Sequence, residues 1–149
     1  EDRAEQTYLG LSGKGTFALP QVNARIVIVE ILSMYCPICQ KDAPIINEVY
    51  EALEKKPALK GKVKIVGVAA GNTPFEAGVF KKKFDVRFPV IADDDMQFQK
   101  ISQDRILTPT FMVLKVDKGK TLKLIKVHVG MIHKAQDLLE AIPGYSKGR

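Results

Sequence analysis

Tryptophan is absent from this chain of 149 residues, cysteine and histidine occur only twice each, and arginine is sparse. Two thiols are too few for a disulfide-dense miniprotein or a four-thiolate zinc site. No apolar run approaches the roughly 20 residues needed to cross a bilayer. The formal charge of +6 raises the question of nucleic acid. The cations, however, are mostly lysines strewn along the chain (Lys55, Lys56, Lys60, Lys62, Lys64, Lys81 to Lys83, Lys115 to Lys126), with no aromatic platform interleaved among them. Lysines so placed solvate helix faces and strand edges, so no nucleic-acid partner is expected. The basic balance still suits an acidic partner or an anionic membrane surface. What remains, 46% hydrophobic and 27% charged residues, is the composition of a globular protein, and its length fits one domain spanning 1–149. The chain begins at Glu1 with neither an initiator methionine nor a leader, as a processed protein would.

Hydrophobic periodicity sets an element order. The first two dozen residues carry a weak signal, glycines bracketing Tyr8 to Leu11 and Phe17 to Leu19 as in a small hairpin, and residues 1–16 read as a loosely structured or hairpin extension. Ile26 to Leu32 (IVIVEIL) is a β-branched run suited to a central strand buried on both faces. Ile45, Ile46, Val49, Tyr50 and Leu53 recur at helical spacing between Pro37 and Pro57. Val63 to Ala69 predicts a second buried strand. Thr73, Pro74 and Glu76 form a capping-box helix start, and Phe75, Val79, Phe80 and Phe84 are expected on its apolar side. A short strand over Phe88 to Ala92 follows, then Asp93 to Asp95 before a short helix. Phe111 to Val116 and Thr121 to Val129 flank a hairpin turn containing Gly119. Ile132 to Ile142 reads as a closing helix. Alternation followed by a hairpin predicts an α/β fold, a central mixed sheet flanked by helices.

The two cysteines stand as Cys36-Pro37-Ile38-Cys39, where the first strand passes into the first long helix. Cysteines three apart in a first helical turn lie on one face, within disulfide reach. A residue before proline is pushed to extended geometry, which suits an N-cap, and Pro37 fits the first helical position. The free N–H groups and dipole of that turn would stabilise a thiolate at Cys36, leaving Cys39 as the deeper, resolving thiol. His128 and His133 are distant in sequence and lack metal-ligand spacing, so no metal site is expected. Gln40 stands where covalent haem attachment needs histidine.

With these residues in view, the stretch from Glu30 to Pro44 (EILSMYCPICQKDAP) resembles the active-site segment of the thioredoxin superfamily, in particular its TlpA/ResA-like thiol-disulfide oxidoreductases. Thr108-Pro109 before a strand resembles the cis-proline of that family, and the extra helix and strand between Val68 and Asp93 match the same branch. The resemblance runs from about Phe17 to Ile142. It departs at Tyr35, where tryptophan is usual, and at the Pro37-Ile38 pair between the thiols.

The resemblance implies a dithiol enzyme, without cofactor, that exchanges electrons with disulfides of partner proteins. Its direction is expected to be reduction. Cys36 would attack and Cys39 resolve, with Tyr35, Pro37, Ile38, Thr108 and Pro109 meeting the substrate. Glu30, interrupting an apolar strand, is either a strand-end carboxylate in water or a buried proton acceptor for the resolving thiol, as in thioredoxins. Asp42 is either an ordinary acid near a helix start or a residue that tunes the Cys39 thiol from one turn away. Pro44 should kink the helix. The compartment implied is periplasmic or extracytoplasmic. The implied partners are disulfide proteins such as apo-cytochrome c and an upstream, membrane-associated thiol donor, serving a monomer. Two alternatives stay open: a peroxiredoxin-like peroxide reductase, since Ser33 lies three residues before Cys36, and a copper- or metal-binding module.

Overall fold

A computed structural model describes residues 3–11, 18–101 and 107–145. Its elements in chain order are α1 (Arg3–Leu9), β1 (Ile26–Leu32), α2 (Pro37–Lys55), β2 (Val63–Ala70), α3 (Pro74–Lys83), β3 (Val90–Asp93), α4 (Gln97–Ile101), β4 (Thr110–Val116), β5 (Leu122–Val129) and α5 (Gln136–Leu139), with a 3-10 turn at Leu19–Gln21. The five strands form one sheet in the order β3-β2-β1-β4-β5. β1 lies at its centre, parallel to β2 and antiparallel to β4, and all of its residues are buried. That position explains the unbroken β-branched run, since side chains on both faces meet protein.

The alternation along β1 divides the core. Ile26, Ile28 and Leu32 join a cluster with Cys39, Ile46, Phe80, Phe111 and Ile132, which places α2, α3 and α5 over one face. Val27, Val29 and Ile31 join Leu9, Val22, Val66 and Val68 on the other. Among the described residues β3 pairs only with Gly67 to Ala70, so the earlier part of β2 has no strand beside it on that flank. There the Ile65 N–H donates to the Tyr8 hydroxyl oxygen at 2.9 Å, and Tyr8 begins an aromatic file through Tyr50 to Phe88.

Several expectations are corrected. No hairpin forms over residues 8–11, because Tyr8 and Leu9 complete α1, and Phe17 lies outside the described residues. The helix ends at Gly10, which has φ +68°, with Leu11 N–H returning to the Gln6 carbonyl at 2.9 Å and Gly10 N–H to that of Thr7 at 3.1 Å. A Cβ at Gly10 would stand 2.5 Å from that of Asn23, so both the backbone conformation and the space demand glycine. The third strand starts at Val90 instead of Phe88, since Pro89 has no N–H and only its carbonyl serves the ladder, accepting from Gly67 at 2.8 Å. The predicted closing helix shrinks to Gln136–Leu139. The Asp137 carboxylate accepts from the amides of His133 (3.1 Å) and Lys134 (3.3 Å), which holds those residues in a turn ahead of the helix. In the β4–β5 hairpin the left-handed residue is Lys120, with φ +61°, and not the glycine beside it.

The capping box of α3 is present: Thr73 Oγ1 accepts from Glu76 N–H at 3.2 Å and Glu76 Oε1 from Thr73 N–H at 3.0 Å. Phe75, expected in the core, is 80% exposed. At about 100° per residue it points some 200° away from buried Ala77, whereas Phe80 falls on the same side as Ala77. Phe80→Ala should therefore cost about 3–5 kcal/mol of unfolding free energy. Phe75→Ser should cost less than about 0.5 kcal/mol. Urea denaturation of the two variants measures the contrast, and equal losses would contradict this orientation of α3.

Candidate functional site

The site is built where β1 hands over to α2. Cys36 takes the N-cap with extended backbone (φ −88°, ψ 112°), Pro37 follows in the first turn, and α2 continues through Pro44 to Lys55. The Cys36 sulfur accepts from the Cys39 N–H at 3.3 Å, so the sulfur itself caps the helix. Both thiols are free; Cys36 is half-buried and Cys39 fully buried. Thr108-Pro109 is a cis peptide, and the Thr108 carbonyl lies 3.7 Å from Cys36 Sγ, close enough to accept from its S–H.

The residues before Cys36 are held from several directions. Met34 N–H donates to buried Asn72 Oδ1 at 2.8 Å, and Gln40 Nε2 donates to the Met34 carbonyl at 2.8 Å. Ser33 Oγ accepts from Tyr35 N–H at 3.2 Å, and its carbonyl accepts from Cys36 N–H at 3.1 Å. The Tyr35 ring is 67% exposed and its hydroxyl donates to Glu76 Oε2. That hydrogen bond raises the Tyr35 pKa and helps lower that of Glu76. Tyr35, Ile38 and Leu107 are exposed apolar side chains around the sulfur, Pro37 is exposed, Thr108 half-buried and Pro109 buried. Sequence reasoning missed Asn72 and the hydrogen bond between Tyr35 and Glu76. An asparagine closing a buried strand just before a Thr-Pro helix start was the available signal for the first.

Glu30 and Asp42 carry the unusual electrostatics. Glu30 lies on β1 level with Phe111 of β4, facing α2 as Ile28 and Leu32 do, and is 1% exposed. Asp42 is 0% exposed, one turn beyond Cys39 on the buried side of α2. Among the described residues, none of their four carboxyl oxygens has a hydrogen-bond partner. Both readings that put them in water are therefore corrected. Burial raises the Glu30 pKa well above the carboxyl range, and the charges of Asp42 and Cys36 push it further. Burial lifts Asp42 to about 7, against the pull of the Ile132 amide and His128. The Cys39 thiol is raised by burial first, then by the Cys36 sulfur, with Glu30 adding to it. Of the two carboxyls, it is thus Glu30 that bears on Cys39, while Asp42 bears on Glu30.

The other polar candidates have structural places. Asp93 caps α4, accepting from the amides of Gln97 (2.8 Å) and Phe98 (2.9 Å). His133 is exposed. His128 is half-buried on β5, its Nε2 3.0 Å from the Met131 carbonyl. Among the described residues, no three of His, Cys, Asp and Glu gather as metal ligands would.

A free dithiol capping a helix, opposite a cis-proline on a mixed sheet, defines the thiol-disulfide exchange class of the thioredoxin-like fold. The chain belongs to the Redoxin family, whose model matches residues 10–142, and within it is TlpA/ResA-like. It is 26% identical over 132 residues to thiol-disulfide oxidoreductase ResA of Bacillus subtilis (strain 168), covering 87% of this chain and 69% of that protein. It is 28% identical over 116 residues to ResA of Bacillus thuringiensis subsp. konkukian, covering 78% of this chain and 62% of that one. The chain thus spans about two thirds of the length of these relatives. The fold matches the crystal structure of StoA from Bacillus subtilis with a TM-score of 0.62 at 22% identity, over 80% of this chain and 83% of that one. It also matches a secreted Mycobacterium tuberculosis disulfide oxidoreductase, described as homologous to E. coli DsbE, with a TM-score of 0.63 at 18% identity, over 84% and 85%.

The buried carboxyls give stability a pH dependence whose sign is fixed. Folding raises the Asp42 pKa, so across roughly pH 4 to 7 the folded chain holds a proton that the unfolded chain has lost. Stability from this group falls as pH rises through that window and is lowest above it. Asp42→Asn should therefore be more stable than the wild type at pH 8, by roughly 2 kcal/mol, with the gap closing towards pH 4.5. Urea titrations at both pH values measure the gap, and a constant difference would contradict the burial of a titrating carboxyl.

Proposed function

We propose that the protein is a thiol-disulfide reductase acting on disulfide-bearing proteins outside the cytoplasm. The observation that carries the reading is the unequal placement of the two sulfurs. Cys36 caps a helix at a half-exposed position beside the Thr108 carbonyl, and Cys39 is sealed beneath it. Cys36 as thiolate attacks one sulfur of a partner disulfide. The partner S–S bond breaks, a Cys36–partner mixed disulfide forms, and the partner's other sulfur leaves and takes a proton from water. Cys39 then gives its proton to Glu30 and attacks Cys36. The Cys36–Cys39 bond forms, the second partner sulfur leaves and is protonated, and the partner is reduced as this dithiol is oxidised.

Glu30 suits the acceptor role because it is buried on the face that holds Cys39, with its pKa raised towards that of a thiol. Asp42 tunes the exchange through Glu30. Tyr35, Pro37 and Ile38 form the near side of the substrate surface, and Thr108 and Pro109 the far side, where an extended partner segment lies along the backbone. The reducing direction is supported by Cys39, whose environment disfavours a thiolate, whereas strongly oxidising dithiols have a stabilised reduced form. The extracytoplasmic assignment, the periplasm in particular, draws on likeness to the ResA proteins and to the secreted mycobacterial neighbour. There apo-cytochrome c is the substrate class, a membrane-associated thiol donor resets the dithiol, and the enzyme acts as a monomer.

Cys39→Ser should accumulate mixed disulfides at Cys36, visible on non-reducing gels, and Cys36→Ser should lose more than about a hundredfold of its protein-disulfide reduction. Glu30→Gln should slow closure of the ring about tenfold while leaving the first attack intact. Absence of trapped species in Cys39→Ser would overturn the assignment of roles.

A further inference from the structure

Thiol exchange makes no use of the lysines. They are strewn along the sequence, but the fold gathers many of them at one end of the sheet. α2 starts at Cys36, beyond the end of β1, and its last turn leads into β2, which begins level with the start of β1. The connection carries Lys55, Lys56, Lys60 and Lys62, with Lys60 N–H donating to the Lys56 carbonyl at 2.9 Å. Just ahead of β1, Arg25 N–H donates to the Lys62 carbonyl at 2.8 Å, and the Arg25 carbonyl accepts from Val116 N–H at 2.8 Å. Val116 closes β4, so the β4–β5 turn emerges at the same place with Lys115, Lys118, Lys120 and Lys123, the last paired with Lys115 in the ladder.

Three segments remote in sequence thus bring nine cations together against two acids, Glu54 and Asp117. That surplus exceeds the formal +6 of the whole chain, so the remainder is close to neutral. The two acids stand 4.0 Å from Lys60 and Lys115. Arg25, Lys55, Lys62, Lys118, Lys120 and Lys123 are exposed. Lys82 and Lys83, also exposed, end α3 on this side, because β3 runs parallel to β2 and is entered from it. At the other end, where β1, β2 and β3 finish, Glu76, Asp94 and Asp95 oppose Lys41 and Lys134.

A surface of this kind suits a broad anionic layer better than a folded partner. Protein interfaces take their affinity from a few aromatic, arginine or aliphatic anchors seated in pockets. Among the described residues, none of the large exposed apolar side chains lies on these three segments. All but one of the nine cations are lysines, point charges on flexible stems that meet phosphate without a fixed geometry. A layer of anionic lipid headgroups asks only for number and proximity of charge.

We propose that this end of the molecule docks on bilayers rich in anionic phospholipid and holds the chain with Cys36 turned away from the membrane. The inference goes beyond the exchange reading and does not depend on it. With its 19 residues, α2 keeps the sulfur about 28 Å from the lipid-facing turns. Partner proteins then reach the dithiol from the solvent side. No apolar side chain inserts, so the contact is reversible and weakens with salt. A chain lifted from it is free to offer Cys36 to a donor held in the membrane.

The test is co-sedimentation of the full chain at low salt with vesicles of phosphatidylglycerol and phosphatidylcholine in equal parts, and with phosphatidylcholine alone. The chain should bind the mixed vesicles, ignore the neutral ones, and come off when salt is raised to about 0.5 M. The double variant Lys62→Glu, Lys118→Glu should lose more than about tenfold in affinity. Lys41→Glu, Lys134→Glu, which changes net charge equally at the other end, should stay within about twofold of the wild type. Cys36 of the bound chain should react with dithiodipyridine, an uncharged chromogenic disulfide, as fast as in solution. Failure to bind the mixed vesicles would overturn the proposal, as would equal losses in the two variants, because total charge would then govern binding. Slowed reaction of Cys36 on the vesicle would put the dithiol end on the lipid and overturn it too. So would binding to polyglutamate as tight as to the vesicles, which would make an acidic chain the partner.

Discussion

The organisation of the molecule depends on a sulfur doing the work usually given to a hydroxyl or carboxylate oxygen. At the start of α2 the Cys36 side chain accepts the Cys39 amide, so the atom that meets substrate is also the atom that ends the helix. The backbone there is extended because a proline follows, and the first turn is secure because that proline needs no donor. Everything around the junction serves to keep it in register. Asn72 and Gln40 hold Met34, Ser33 holds Tyr35, and β1 anchors the whole segment at the centre of the sheet. A site of this kind is only as well placed as the strand that delivers it, and β1 is paired along nearly its whole length with β2 on one side and β4 on the other.

Below the junction the protein does something costly. It buries two carboxyl groups near each other and, among the described residues, gives them no well-formed hydrogen bond, only the pull of the Ile132 amide on Asp42. Groups in that condition do not contribute to folding at neutral pH; they lower stability there, and the large aliphatic core around them must offset that. Such an expense is expected where proton affinity matters more than stability. The two acids also act in series, since Asp42 influences Glu30 and Glu30 influences Cys39.

Much of this was legible in the residues. The β-branched run of β1, the capping box of α3 and the C-x-x-C at a strand-to-helix passage each carry a local signal with a local cause, and each is found in place. The burial of Asp42 was left open, although it shares the helical spacing of Cys39, Ile46, Val49 and Leu53, which are all buried. Other features were not legible, because their causes lie elsewhere in the chain. Phe75 looks like core until the rotation of α3 is known. The short α5 reflects an aspartate that binds the amides ahead of it, and the late start of β3 reflects which neighbour Pro89 faces. The tie between Tyr35 and Glu76 spans 41 positions, beyond the reach of any periodicity.

The hydroxyl of Tyr8, set against the uncovered flank of β2, has an implication for how the chain tolerates shortening. A strand flank without cover invites a strand from another molecule, and here one phenol from the first helix keeps that place filled. A fragment starting after Leu11 would retain every sulfur and carboxyl of the active centre. It would nonetheless carry a sticky border, and its fate in concentrated solution would be decided by association between copies before chemistry had any part in it.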